Sequence, residues 1–240
     1  MLLPFNRELG VYEQSEGFTR YAPWDFDATP PEKYPLLLNY PYFDLYRLQV
    51  VKQADLVLAM YLCPSAFEPE QKLRAFTYYE ALTVRDSSLS ASVQSVLAAE
   101  VGHLALAYDY FAEAALTDLH DLHHNVGAGL HVAALAGAWL CCVGGFGGFR
   151  DHTDHPCFAP RLPEPLDRLA FRLQWRASRI AVDITARTTT YRLLAGPPLP
   201  LAHHGDIHKL TDTPLTLPNP APPTVPDIIQ PRGRAPRPRA

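Results

Sequence analysis

Between residues 42 and 143 the chain is almost free of proline, and that stretch limits what it can fold into. Five segments of helix length follow one another: Tyr42–Leu62, Pro69–Ala81, Ser88–Val101, His103–Leu122 and Gly129–Val143. The gaps between them are short, which makes consecutive helices antiparallel neighbours. In the third segment Leu89, Val93, Val96, Leu97 and Val101 fall at i, i+4, i+7, i+8 and i+12, predicting one apolar stripe. The helical pattern stops at Gly144-Gly145-Phe146-Gly147-Gly148. Before residue 42 the chain is aromatic and broken by Ala22-Pro23 and Pro30-Pro31, so it reads as irregular structure leading into the helices.

Beyond the glycines the period changes. Arg168–Trp175 alternates, with Leu169, Phe171, Leu173 and Trp175 on one face. Arg179–Ala186 alternates through Ile180, Val182 and Ile184, and Thr188–Leu194 is rich in β-branched and aromatic residues. These predict a small antiparallel sheet. From residue 197 proline dominates, ending in PRGRAPRPRA. Such a composition buries too little apolar area to offset its ordering entropy and predicts disorder.

The 240 residues are 48% hydrophobic, enough for one good core or two small ones. A net charge of -4 argues against a dedicated nucleic-acid binder or a binder of anionic membranes. No apolar run reaches the roughly 18–20 residues of a membrane span. The opening MLLPFNRELG has no basic region followed by a long apolar stretch, unlike a secretory signal. Cys63, Cys141, Cys142 and Cys157 form no CxxC pair and read as reduced thiols of a cytoplasmic protein.

Three places break the local pattern. Lys52, Gln53 and Asp55 sit among Leu48, Val50, Val51, Leu56, Val57, Leu58 and Met60, apolar enough for a helix buried on most faces. Buried polar groups need partners or a function, so these are either a structural polar stripe or ligand contacts. Arg85-Asp86-Ser87-Ser88-Leu89-Ser90 reads as an N-cap, and equally as an anion site at a helix N-terminus. His131 opens the apolar run LHVAALAGAWL, as a satisfied core histidine or as a second anion contact. His120, His123 and His124 are spaced i, i+3, i+4 on an expected helix end, without an HExxH-type carboxylate, and read as surface groups rather than metal ligands. Asp151-His152 and Asp154-His155 carry a weaker signal still. Glu80, Glu100 and Glu113 are the helical carboxylates, and none has a distinctive setting in sequence.

Three long strings, YPLLLNYPYFDLYRLQVVKQADLVLAMYL, YYEALTVRDSSLSASVQSVLAAEVGHLALAYDYF and GLHVAALAGAWLCCVGGFGGFRDH, resemble consecutive blocks of family 65 glycoside hydrolases of the maltose, trehalose and kojibiose phosphorylase type. FAPRLPEPLDRLAFRLQWRASRIAVDI resembles the strands that follow them in that family. The resemblance implies a mainly α fold. It would be the second half of an (α/α)6 barrel over residues 1–150, a small β domain over 151–196 and a disordered tail over 197–240. It implies inverting phosphorolysis: an acid protonates the glycosidic oxygen while phosphate attacks the anomeric carbon from the opposite face, giving β-glucose 1-phosphate. Lys52 and Gln53 match the pair that holds the glucose, Ser87 and Ser88 the serine pair at the phosphate, and His131 the histidine there. Gly127-Ala128-Gly129 departs from the family, which often carries an acid near Ala128. The family's general acid and its Trp-Asp motif lie upstream of these blocks. Trp24-Asp25 belongs to the later block WDFDATPPEKYP.

The expectation is therefore a fragment, inactive alone and without a catalytic residue of its own. Disaccharide and inorganic phosphate would be its ligands, with no metal or other cofactor. Self-association would run through the open face of the barrel. A trehalase-type hydrolase fragment and a non-catalytic sugar- or phosphate-binding protein are the alternatives. The serine pair with His131 favours an anion cradle over the carboxylate base a hydrolase needs.

Overall fold

The computed structural model describes residues 3–236. Two short pairings open the chain. The strands β1 (Phe5–Asn6) and β2 (Val11–Tyr12) are antiparallel, and β3 (Ala22–Pro23) runs parallel to β4 (Leu48–Gln49). The helices are α1 (Leu36–Asn39), α2 (Tyr42–Leu45), α3 (Asp55–Leu62), α4 (Pro69–Glu80), α5 (Ser90–Val101), α6 (Leu104–Leu116) and α7 (Val132–Leu140). A π-helical turn at Cys141–Phe146 continues α7 into the glycine run.

The single helix expected over Tyr42–Leu62 is in fact α2, β4, a bend and α3. Val51 sets the break. Its N–H donates to Leu82 O at 3.0 Å and its carbonyl accepts from Val84 N–H at 2.8 Å, which forms a parallel bridge with Thr83. Its side chain is buried. Both backbone groups are spent outside any helix, so an apolar run that satisfies helix periodicity is extended at its centre. Lys52 and Gln53 lie in the resulting bend.

The helix α5 is not amphipathic, contrary to the one-stripe expectation. It is enclosed on every face, and Ser90, Ala91, Ser92, Gln94, Ser95, Ala98 and Ala99 are buried beside Val96, Leu97 and Val101. Small side chains let neighbours come close. An ideal Cβ on Gly137 of α7 would lie 2.5 Å from Ser92 Cβ, and one on Gly145 would lie 3.4 Å from Val96 Cα. These two contacts advance together along both segments, so α7 runs parallel to α5. Ser90 Oγ donates to Lys52 O at 3.4 Å at one end of α3, and Tyr61 meets Gly144 at the other, so α3 is parallel as well. The helices α4 and α6 return antiparallel to α5. Lys72 pairs with Glu100 and Gln94 with Glu80, while Ser95 Oγ donates to Ala107 O and Ala91 packs on Tyr110 and Ala114.

The expected strands are present as β6 (Arg168–Trp175), β7 (Ser178–Thr185) and β8 (Thr188–Ala195). They form a four-stranded antiparallel sheet in the order β11-β8-β7-β6, completed by β11 (Leu215–Pro218). A second sheet, in the order β10-β9-β5, joins β5 (Cys157–Phe158), β9 (Leu199–His203) and β10 (Asp206–Leu210). Ile180, Val182, Ile184 and Tyr191 of the first sheet share a core with Phe158, Leu199, Leu201 and Leu210 of the second.

Disorder from residue 197 is thus corrected, because residues 199–218 supply three strands and part of the core. The composition rule missed Leu199, Leu201 and Leu210, whose alternation is hidden between prolines. The segment after Pro218 has no strand, yet it lies along the helices. Pro223 meets Gly102, which caps α5 at φ +108, and Ile228 packs on the main core. Gln230 Nε2 donates to Glu80 Oε1 at 2.7 Å and to Tyr110 OH at 2.9 Å. The Arg234 guanidinium stands 4.2 Å from the Tyr34 ring centre. A tail too polar to make its own core is ordered by buried polar groups that need donors. Residues 237–240 of the expected tail lie outside the described residues.

Glu80 is buried, and burial pushes its carboxyl above the usual range despite bonds from Tyr110, Gln230 and Gln94. Gln230→Ala removes one of those donors and is expected to cost about 1–3 kcal/mol. Urea denaturation would measure this, and a change under about 0.5 kcal/mol would show that the tail contact is incidental. The β unit is expected to be acid-labile. Burial, then the nearby His203 and Arg161, depresses His204 from 6.5 to about 4. The unfolded chain therefore takes up the proton first, and stability falls as pH drops from about 6.5 towards 4. His204→Gln should flatten the thermal-midpoint profile across that window.

Candidate functional site

The parallel run of α3, α5 and α7 puts their N-termini at one end of the bundle, and the turns entering them carry Lys52, Gln53, Ser87, Ser88 and His131. His131 precedes the Gly137–Ser92 crossing by about 9 Å of helix, and Ser88 precedes it by about 6 Å.

The entry to α5 is held from behind. Arg85 adopts φ 56. Its guanidinium donates to both Glu113 oxygens at 2.6 Å and to the carbonyl of Arg234. Asp86 Oδ2 accepts the Leu36 N–H at 2.6 Å. Burial raises the Asp86 carboxyl above its ordinary value, against the opposing bonds from the Leu36 and Leu37 amides and the charge of Arg234. With Arg85 and Asp86 fixed, the half-buried Ser87 and Ser88 follow at the turn. Ser87 Oγ accepts the Leu89 N–H at 3.3 Å, and Ser90 N–H donates to the Ser87 carbonyl at 3.2 Å. The N-cap position is Leu89, and no side chain caps the helix. The plain-capping reading of this segment is therefore corrected. Ser88 Oγ has no hydrogen-bond partner among the described residues.

Lys52 is exposed in the bend before α3, and its carbonyl takes the Ser90 hydroxyl, so this turn touches the start of α5. Gln53 Nε2 donates to Asp55 Oδ1 at 3.0 Å. Both line a cavity of about 510 Å³ with Leu37, Tyr42, Tyr46 and Asp55. His131 is the N-cap residue of α7. Its N–H donates to Asp118 Oδ2 at 2.9 Å, and its Nδ1 lies 2.6 Å from Asp118 Oδ1. The core-histidine reading fails, because the ring is partly exposed and bound to a carboxylate.

No local pattern marks Asp118, which sits in the block that drew notice only for His120, His123 and His124. Those three are not on a helix end, since α6 stops at Leu116 and positive φ at Asp121 and His124 folds the segment into turns. The His123 ring lies 5.5 Å from that of His131. Among the described residues no group of three or more His, Cys, Asp or Glu side chains could hold a metal ion. The three helical glutamates do have distinctive settings, contrary to their plain look in sequence. Glu80 takes Tyr110, Gln94 and Gln230, and Glu113 takes Arg85. Glu100 lies between Lys72 and Arg150, and burial would raise it, but the charges of Arg150 and Lys72 outweigh this and lower it.

The helices and the two-sheet unit that follows them correspond to two domains of one known family. Residues 1–140 match the glycosyl hydrolase family 65 central catalytic domain, and residues 149–210 match the family 65 C-terminal domain. The chain belongs to glycosyl hydrolase family 65. It is 52% identical over 238 residues to an uncharacterized glycosyl hydrolase of Mycobacterium tuberculosis, covering 98% of this chain and 30% of that protein. It is 40% identical over 218 residues to the alpha,alpha-trehalose phosphorylase of Geobacillus stearothermophilus, covering 90% of this chain and 28% of that one. A solved structure from the human microbiome, provisionally assigned as a kojibiose phosphorylase, superposes with a TM-score of 0.84 at 27% identity, covering 91% of this chain and 29% of that one. The chain thus spans about 30% of the length of the curated relatives it matches.

The close crossing of α7 on α5 predicts a test of the site's frame. Gly137→Ala should cost about 1–3 kcal/mol by overpacking against Ser92. Ser92→Gly in the same chain should restore most of it. A thermal double-mutant cycle with no coupling would show that this contact does not set the position of α7.

Proposed function

We propose that this chain is the phosphate- and glucosyl-holding part of an inverting disaccharide phosphorylase, the second half of an (α/α)6 barrel with its C-terminal β unit. One observation carries the reading: three parallel helices bring Lys52-Gln53, Ser87-Ser88 and His131 to one end of the bundle. There the uncapped first turn of α5 offers N–H groups and the positive end of its dipole to an anion. Ser87, Ser88 and His131 hold phosphate, while Lys52 and Gln53 hold the glucose whose bond is cut. Phosphate then attacks the anomeric carbon with inversion, and β-glucose 1-phosphate leaves with the released sugar.

The phosphorylase names among the relatives support this over hydrolysis. So does the state of the carboxylates at this end. Asp86 accepts the Leu36 amide, Asp118 bonds to His131 and Asp55 accepts the Gln53 amide, so each of the three already serves a structural contact. Glu100 and Glu113 are held in ion pairs and Glu80 by neutral donors, which supports a general acid supplied from outside these residues. Cys63, Cys141, Cys142 and Cys157 are free thiols, which suits a reducing, cytoplasmic setting. No helix among the described residues is long and apolar enough to cross a membrane.

Half a barrel leaves apolar surface where its other half would pack. On α7, Val132 is 71%, Leu135 43% and Trp139 56% exposed, and the spacing puts all three on one face. The isolated chain is therefore expected to self-associate through this face, and size-exclusion chromatography with light scattering would read it. A monodisperse monomer would argue for a self-sufficient binding module instead. The purified chain is also expected to release no glucose 1-phosphate from maltose, trehalose or kojibiose. Lack of a general acid alone costs roughly 10²–10⁴-fold. Detectable phosphorolysis by the chain would place the acid within it.

A further inference from the structure

The geometry points to Asp118 as the positioning residue for His131, setting which ring nitrogen meets the anion. The inference rests on the phosphate reading above. Asp118 lies two residues past α6 and thirteen before His131, and its side chain is only 8% exposed. One carboxylate serves both polar groups of one residue. Oδ2 accepts the His131 main-chain N–H at 2.9 Å, and Oδ1 meets ring Nδ1 at 2.6 Å. The first contact fixes the backbone where the chain enters α7, and the second fixes the ring. Together they hold both the backbone and the ring of His131.

The chemistry follows from the imidazole. An ionised carboxylate only accepts, so Nδ1 must carry a proton to bond to it. The hydrogen bonds from His131 hold the Asp118 carboxyl below its ordinary value, which keeps it an acceptor. The ring then has one edge left, at Nε2. In a neutral ring Nε2 is a lone pair that can take the O–H of hydrogen phosphate. In the imidazolium it is an N–H that donates to a phosphate oxygen. Either way the contact is made by Nε2, from a ring held before the anion arrives. An outer carboxylate plays this part for histidines that bind metals, fixing tautomer and orientation.

Asparagine at this position tests the assignment because it keeps the size and loses one acceptor. Its amide can accept only one of the two His131 N–H groups, and its NH2 faces the other. Asp118→Asn should therefore move the ring proton from Nδ1 to Nε2, visible as an exchange of the two ring nitrogen signals in a histidine-selective ¹⁵N spectrum. Inorganic phosphate titrated into the chain by calorimetry should bind roughly ten- to hundredfold more weakly, the range lost with the outer partner of a ligating histidine. His131→Gln should weaken binding similarly. The double variant should be no weaker than His131→Gln alone, since the two residues act as one unit. Asp118→Glu keeps two acceptors and should restore the Nδ1 proton, which separates the effect from a folding defect. Unchanged phosphate affinity in Asp118→Asn, additive losses in the double variant, or an unmoved ring proton would each overturn the role of Asp118 and leave the phosphate site standing. Wild-type chain that binds no phosphate, or binds it equally well after Ser88→Ala and His131→Gln, would remove the phosphate reading and this inference with it.

Discussion

The structure depends on one close packing: α5 is surrounded on every side, and its small residues let α7 approach at Gly137. Serine and alanine at positions 90–92, 95 and 98–99 leave no bulk to hold neighbours off. Dispersion gains per atom pair are tiny, but a helix in contact all round collects them over its whole length. The cost is intolerance, since even one methyl at Gly137 has nowhere to go. Because α3 and α7 both run parallel to this axis, three helix N-termini share one end. In a bundle of alternating neighbours those ends would be scattered. The site is thus a consequence of helix direction first and of side chains second.

A second tier of contacts holds the entry loops. Arg85 and Glu113 form an ion pair with little exposure, and Lys72, Glu100 and Arg150 form a triad at the far end of α5. Buried pairs of this kind add little net stability, because desolvation offsets most of the attraction, but breaking one leaves an unpaired charge. What they provide is position. Arg85 at positive φ turns the chain just before Ser87, and the Arg85–Glu113 pair ties that turn to α6. The carbonyl of Arg234, delivered by the C-terminal segment, closes the same knot. A tail that looks like solvent-exposed linker in composition therefore braces the loop that carries the serine pair.

The sequence made some of this legible and hid the rest for physical reasons. Helices α4 to α7 and strands β6 to β8 follow from segment length and periodicity, although the stripe read in α5 did not record that its small polar and alanine faces are buried too. The break before α3 does not, because Val51 is extended by hydrogen bonds to residues 82 and 84, and no local pattern encodes a partner thirty residues away. The tail failed for the same reason: Gln230 is ordered by Glu80, which lies 150 positions earlier. Lys52, Gln53, Ser87, Ser88 and His131 stood out as polar anomalies in apolar surroundings, and the family blocks singled out the same positions. Asp118 did not, since an aspartate just past a helix is ordinary until its distance to His131 is known.

The engagement of Arg85 carries chemical meaning on the proposed reading. Arg85 stands two residues before Ser87, and a guanidinium is the strongest phosphate fork a protein has. Here Nη1 is taken by Glu113 and Nη2 by the Arg234 carbonyl. A phosphate gripped by two charge-assisted bonds would be bound tightly in the ground state, and binding that does not grow in the transition state does not speed the reaction. It would also draw electron density from the oxygens that must attack carbon. In the proposed site helix amides, two hydroxyls and one imidazole edge would hold the anion by several weaker, directional contacts, so an attacking oxygen would keep its charge. On the proposed reading such a cradle suits a phosphate that acts as a nucleophile better than one that serves only as an anchor, and Glu113 and the Arg234 carbonyl contribute by occupying the two terminal nitrogens of Arg85.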